Sequence, residues 1–73
     1  MLEWIPVEGS SRIVAMAYDR AAEAIYVRFP GGVEWRYEAC PPTTWEEFSS
    51  PATSKGKYIN NVLNHRPHGR HSL

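Results

Sequence analysis

The stretch 24-AIYVRFPGGVEWRYEA-39 decides the fold. Ile25, Val27 and Phe29 alternate with Tyr26 and Arg28, and Val33, Trp35, Tyr37 and Ala39 alternate with Glu34, Arg36 and Glu38. That is the period of a strand buried on one side. Pro30-Gly31-Gly32 separates the two runs as a three-residue hairpin loop, with glycine where positive φ is needed. Counting back from the loop sets Phe29 against Val33, Arg28 against Glu34, Val27 against Trp35, Tyr26 against Arg36 and Ile25 against Tyr37. The apolar sets share one face and the polar sets the other.

Toward the N-terminus, Arg12 to Tyr18 also alternates, and Asp19 to Glu23 turns it into the hairpin as the first strand of an antiparallel meander. Placing Ile13, Ala15 and Ala17 on the core face puts Val14, Met16 and Tyr18 beside Tyr26, Arg28 and Arg36 on the other. A face that apolar needs cover. Trp4 to Val7 as a fourth strand, a second copy of the chain, or a ligand would each supply it.

Toward the C-terminus, Pro41-Pro42 ends strand pairing because proline has no amide donor. Thr44 followed by Glu47 fits a capping box and predicts a short helix through Phe48, which Pro51 prevents from extending. Ser54 to Asn64 reads as a second helix capped by Ser54, with Tyr58/Val62 and Ile59/Leu63 on one apolar side. Pro67 stops it, leaving residues 65–73 as a flexible basic tail. The expected fold class is α+β: a small antiparallel β-meander of three to four strands followed by two short helices packed on one face, all within residues 1–64.

At 73 residues the chain holds one small core. Cys40 is the lone cysteine, so no internal disulfide is available, and a single thiol suits a reducing, cytoplasmic setting. No run approaches the ~20 apolar residues of a membrane span, and the start lacks the pattern of a targeting signal. Net charge is zero but unevenly placed. Residues 1–50 carry all eight acids and four arginines, a net −4, whereas residues 51–73 carry Lys55, Lys57, Arg66 and Arg70, no acid, and all three histidines. A basic segment of that kind either meets phosphates or is simply a solvated helix and tail.

Ser54-Lys55-Gly56-Lys57 would set backbone amides, a glycine and two ammonium groups at a helix start, a pattern suited to phosphate, or else to a plain serine cap with solvated lysines. The glycine spacing of a nucleotide-hydrolysing loop is missing. Tyr26, Arg28 and Arg36, with Met16 and Tyr18 nearby, could form a stacking platform for bases, a homodimer face, or ordinary cross-strand pairs. His65-x-x-His68-x-x-His71 has metal-ligand residue types but includes Pro67 and Gly69, which is not zinc-site spacing, so no metal is expected. Cys40 at a strand end reads as a buried thiol, and the adjacent Glu46 and Glu47 point apart on a helix, so neither suggests an enzyme.

The run Ala52-Thr53-Ser54-Lys55-Gly56-Lys57-Tyr58-Ile59-Asn60, with Ser10-Ser11 before a strand, Tyr18-Asp19 at its end, and Trp35-Arg36-Tyr37 followed by Pro41, resembles the KTSC domain family. That family comprises short domains that stand alone in bacteria and phages or end some lysyl-tRNA synthetases. Trp35 replaces a usual tyrosine and Cys40 a usual valine, both compatible with a core. The resemblance implies the small α+β fold, with RNA binding as the activity commonly suggested. The resulting expectation is a non-enzymatic binding module for RNA or another phosphate-bearing nucleotide, without a cofactor. Ser54, Lys55, Gly56, Lys57, Asn60, Asn61 and Arg66 would contact phosphate or polar groups, and Met16, Tyr18, Tyr26, Arg28 and Arg36 would stack. The alternatives are a protein-interaction or homo-oligomerisation module, and a phage-type sponge for a small signalling nucleotide.

Overall fold

The hairpin register fixed by Pro30-Gly31-Gly32 is the backbone of the architecture. In the computed structural model, which describes residues 2–71, Gly31 and Gly32 adopt φ +94° and +93°, and the Phe29 amide donates to the Val33 carbonyl at 2.7 Å. Strands β3 (Ala24–Arg28) and β4 (Glu34–Tyr37) pair Ile25 with Tyr37, Tyr26 with Arg36, Val27 with Trp35 and Arg28 with Glu34, as the sequence implies. Preceding them are β1 (Ile5–Pro6) and β2 (Ala15–Asp19), and α1 (Pro42–Ser49) and α2 (Lys55–Asn61) follow. A 3-10 turn over Leu63–His65 then leads into β5 (His68–Arg70). The sheet is antiparallel throughout, in the order β1-β2-β3-β4-β5, so the fold is α+β with five strands rather than three or four.

The first strand corrects the sequence reading. Its pairs are Met16 with Val27, Ala17 with Tyr26 and Tyr18 with Ile25, one residue out of the expected register. Asp19 is the cause. Its carboxylate accepts from the amides of Ala21 (3.1 Å) and Ala22 (3.2 Å), and Glu23 takes φ +52°, so the turn closes over four residues and Asp19 itself pairs with Ala24. A one-residue slip turns every side chain of a strand to the opposite face. Met16 and Tyr18 therefore face the helices, while Ala15 and Ala17 face away. A bend at Val14 restores Ile13 to the helix side, so Ile13 and Met16 both enter the main core.

That core joins Ile13, Met16, Ile25, Val27, Tyr37 and Cys40 of the sheet side to Phe48, Ile59 and Leu63 of the helical side. A smaller cluster lies on the opposite face: Ala17, Ala24 and Tyr26, covered by Leu2 and Trp4. The N-terminal segment thus provides the expected cover, with Ile5 and Pro6 paired to β2 and Trp4 folded over Tyr26 at a ring separation of 6.4 Å.

Both helices differ from expectation at their ends. Pro41 occupies the cap position of α1 and Pro42 its first turn, where a missing amide costs nothing, so the helix begins ahead of Thr44 and no capping box forms. Thr44 is buried, and its carbonyl accepts from the Tyr58 hydroxyl at 3.4 Å. Ser54 does precede α2, without a side-chain cap bond, and Val62 at φ −123° ends that helix early. Residues 65–73, expected as a tail, instead supply the end of the 3-10 turn and an edge strand, apart from Ser72 and Leu73, which lie outside the described residues. Tyr37 pairs with His68, Arg36 with Gly69 and Trp35 with Arg70. The strand is too short to show a period, and its attachment comes from His68 lying against Trp35 and Tyr37 at 5.9 and 5.4 Å and from His71 edge-on to Tyr26 at 4.9 Å. Among the described residues no helix is long and apolar enough to cross a membrane.

Candidate functional site

The proposed stacking platform does not assemble. Met16 and Tyr18 face the helices, where Tyr18 stacks on Trp45 at 5.3 Å and its hydroxyl donates to the Cys40 carbonyl at 2.7 Å. Tyr26 is only 4% exposed. Arg28 donates to Glu34 at 2.7 Å and lies 4.3 Å from the Trp4 ring centroid, and Arg36 donates to the Tyr26 hydroxyl at 2.9 Å. These are cross-strand pairs sealed by the chain's own tryptophan, so the continuous apolar face expected to stack bases or meet a second copy is absent.

The lysine run also divides. Lys55 is buried: its Nζ donates to the Ser50 carbonyl at 2.8 Å and lies 5.6 Å from the Phe48 ring centroid, and burial lowers its pKa. Lys57 is exposed and lines neither of the cavities described below. The two ammonium groups do not converge, because they occupy positions two residues apart on a helix and so point in different directions. Arg66 donates to the Ala39 carbonyl at 2.9 Å and acts as a strap on the loop before α1, and Asn61 is exposed at the end of α2. Lys55→Ala is therefore expected to destabilise the fold by roughly 1 to 3 kcal/mol, whereas Lys57→Ala should change it by less than about 0.5 kcal/mol. Urea denaturation of both variants checks this; equal midpoints would contradict the inward role of Lys55.

Arg12 lines two cavities. The first, about 480 Å³, lies between the loop at Glu8–Arg12 and the segment leading into α2. Ser10, Ser11, Thr53 and Ser54 bring hydroxyls to its wall, Gly56 and Lys55 close its helical side, and Glu8 contributes one carboxylate. The second, about 700 Å³, lies between the β3–β4 hairpin and α2, lined by Phe29, Val33, Trp35, Tyr37 and His68 along with Arg12. Arg12 is exposed, its Nη2 donates to the Asn60 side-chain oxygen at 3.3 Å, and among the described residues it has no carboxylate partner. The Ser10 hydroxyl accepts from the amides of Arg12 (3.2 Å) and Ile13 (3.5 Å), which sets the loop. A Cβ built on Gly56 would stand 3.5 Å from the Arg12 stem, an ordinary van der Waals contact, so the arginine lies directly alongside α2 at this point.

Of the residues expected to meet phosphate, Ser54, Lys55 and Gly56 line the first cavity and Asn60 contacts Arg12, which the sequence did not single out. Arg12 looked like the first residue of a strand, and only the fold brings it to α2, 48 residues on. Trp4 to Val7 was one of three covers expected for the opposite face; Ile5–Pro6 form the strand and Trp4, just ahead of it, lies over Tyr26.

Cys40 and Tyr58 are engaged within the fold. Cys40 is fully buried, its thiol pKa is raised by that burial, and its Sγ donates to the carbonyls of Glu38 and Tyr37 at 3.4 and 3.5 Å. The Tyr58 hydroxyl donates to Glu47 at 2.7 Å. Burial, reinforced by that hydrogen bond and the Glu47 charge, pushes its pKa up to about 12. The folded chain then holds a proton that the unfolded chain releases near pH 10, so this stabilisation is complete below pH 10 and is lost as pH rises toward 12. Tyr58→Phe should flatten that alkaline loss in denaturant melts between pH 9 and 12; an unchanged slope would remove Tyr58 as its source.

Comparison with known proteins places the fold. A protein of Tsukamurella paurometabola is 36% identical over 61 residues, covering 84% of this chain and 88% of its own. The crystal structure of a KTSC domain protein from Yersinia pestis superposes with a TM-score of 0.84 at 26% identity, covering 99% of this chain and 100% of that one. The KTSC domain profile matches residues 9–66, which run from the Ser10 loop to the Arg66 strap and include the lining of the first cavity apart from Pro6, Val7 and Glu8. With that match spanning most of the sequence, the chain belongs to the KTSC domain family.

Proposed function

We propose that the chain is a non-enzymatic binding module for RNA or another phosphate-bearing nucleotide, with the phosphate in the hydroxyl-lined cleft beside Arg12. The observation that carries this reading is the position of Arg12: an exposed guanidinium, oriented by Asn60, without a carboxylate partner among the described residues. Guanidinium donors match phosphate oxygens in geometry, and serine and threonine hydroxyls add rotatable donors around them. Glu8 also lines the cleft, and its carboxylate opposes an anion, so the phosphate is assigned to the donors of Arg12, Ser10 and Ser11. The absence of chemistry is supported by the burial of Cys40 and by the engagement of Glu47 with Tyr58.

Native mass spectrometry of the purified chain, followed by thermal shifts with a nucleotide panel and single-stranded RNA, tests the reading. A ligand present at 100-fold its dissociation constant should stabilise the chain by about 2.7 kcal/mol. A monophosphate or triphosphate that shifts the melt while RNA does not would mark a small-nucleotide sponge; no shift with any member would overturn the reading.

A further inference from the structure

We infer that the aromatic groove beyond Arg12 takes an unpaired base of a single-stranded nucleic acid whose phosphate lies in the hydroxyl-lined cleft, so that one strand straddles the Arg12 side chain. This rests on the phosphate reading above and adds a second contact region to it. The groove, about 700 Å³, falls in the range of small-molecule sites. Buried Tyr37 and Ile59 form its floor, and partly buried Trp35, Phe29 and Val33 line its sides. His68 lies against both Trp35 and Tyr37 at 5.9 and 5.4 Å. Bases stack on such rings whatever their sequence.

Charge selects the occupant. None of the groove's lining residues is acidic, and its one fixed charge is Arg12. Asn60 accepts from Arg12 at 3.3 Å and from the Asn64 amide at 3.5 Å, so the guanidinium is held by one carboxamide, and Asn64, itself in the groove lining, brings a second amide to the base edge. Beyond the two cavities, exposed Lys57 and Arg70 add positive charge on α2 and β5, and residues 51–73 contain no acid. Past the groove, α2 and β5 bring no carboxylate to a continuing strand, and toward the cleft it meets the one carboxylate of Glu8. A duplex cannot enter, because its bases are already stacked and paired.

The test is a set of NMR titrations of the full chain with inorganic phosphate, AMP, single-stranded octa-adenylate RNA, and the same RNA in a duplex. The single strand should shift the Trp35 indole proton and His68 through ring currents as well as the Ser10–Arg12 amides, whereas phosphate should shift only the latter. Trp35→Leu should weaken the single strand by roughly tenfold or more, as loss of one base–aromatic stack implies, and leave phosphate binding unchanged. Should Trp35→Leu fail to fold, Val33→Glu, which brings a carboxylate to the groove wall, should give the same split. Single-strand shifts confined to the Ser10–Arg12 loop would overturn the groove assignment while leaving the phosphate cleft standing. AMP binding as tightly as the octamer would overturn the strand as occupant, and no binding by any probe would overturn both readings.

Discussion

Phe48→Ala is expected to lower stability by about 3 to 5 kcal/mol, the usual cost of emptying a fully buried phenylalanine site. Phe48 has no exposed surface and ties the helices together: its ring lies 6.4 Å from Trp45 and 5.6 Å from Tyr58, with the Lys55 ammonium 5.6 Å above it. A domain of 73 residues holds a total of roughly 4 to 11 kcal/mol at typical per-residue stability. The loss therefore takes much or all of it. Far-UV circular dichroism should show a variant largely unfolded at 37 °C, whereas Val14→Ala, at a side chain 42% exposed, should melt close to the parent. A Phe48→Ala chain within about 1 kcal/mol of the parent would mean that α1 does not close the core.

Trp4→Ala should cost about 2 kcal/mol, less than Phe48 because Trp4 is only partly buried. The indole makes an edge contact with Tyr26 and receives the Arg28 guanidinium at 4.3 Å, so removing it opens the smaller cluster to water and releases a cation–π contact worth about 0.5 to 1 kcal/mol. Hydrogen exchange should quicken at Ala17 and Ala24, which lie in the same cluster, while the amides around Phe48 keep their protection. Unchanged stability and exchange would show that the N-terminal segment does not cover this face.

The hairpin was legible because its loop is short and its alternation complete: two glycines at positive φ admit one register, and the sequence contains both. The strand before it was not, because Arg12 to Tyr18 carries apolar residues at nearly every position and either register buries an acceptable set. The decision rests with Asp19, whose carboxylate tightens the turn by one residue, a local hydrogen-bond effect that alternation does not register. The consequence reached the functional reading: Met16 and Tyr18 moved to the helix side, and the face that had suggested stacking became a small cluster under Trp4. His68–Arg70 escaped notice for a different reason. Three residues following a proline have no period of their own, and they join the sheet through ring contacts that depend on Trp35, Tyr37 and Tyr26 already being in place.

The candidate site shows the same division. Ser54-Lys55-Gly56 was found because residue types at a helix start carry local meaning, and all three do line the cleft. Which cation remains available there was not legible, since Lys55 turns inward to the Ser50 carbonyl and Arg12 arrives from a distant loop.

If Arg12 is the cation a phosphate meets, the salt dependence of RNA binding must change when it is removed. Anisotropy of a labelled single-stranded octamer, titrated against the parent chain and Arg12→Gln from low to moderate salt, yields an affinity and a slope for each. Removing one phosphate contact should weaken binding at low salt by roughly tenfold and make the slope of log K against log salt shallower by about 0.7. Identical affinities and identical slopes for the two proteins would contradict the account.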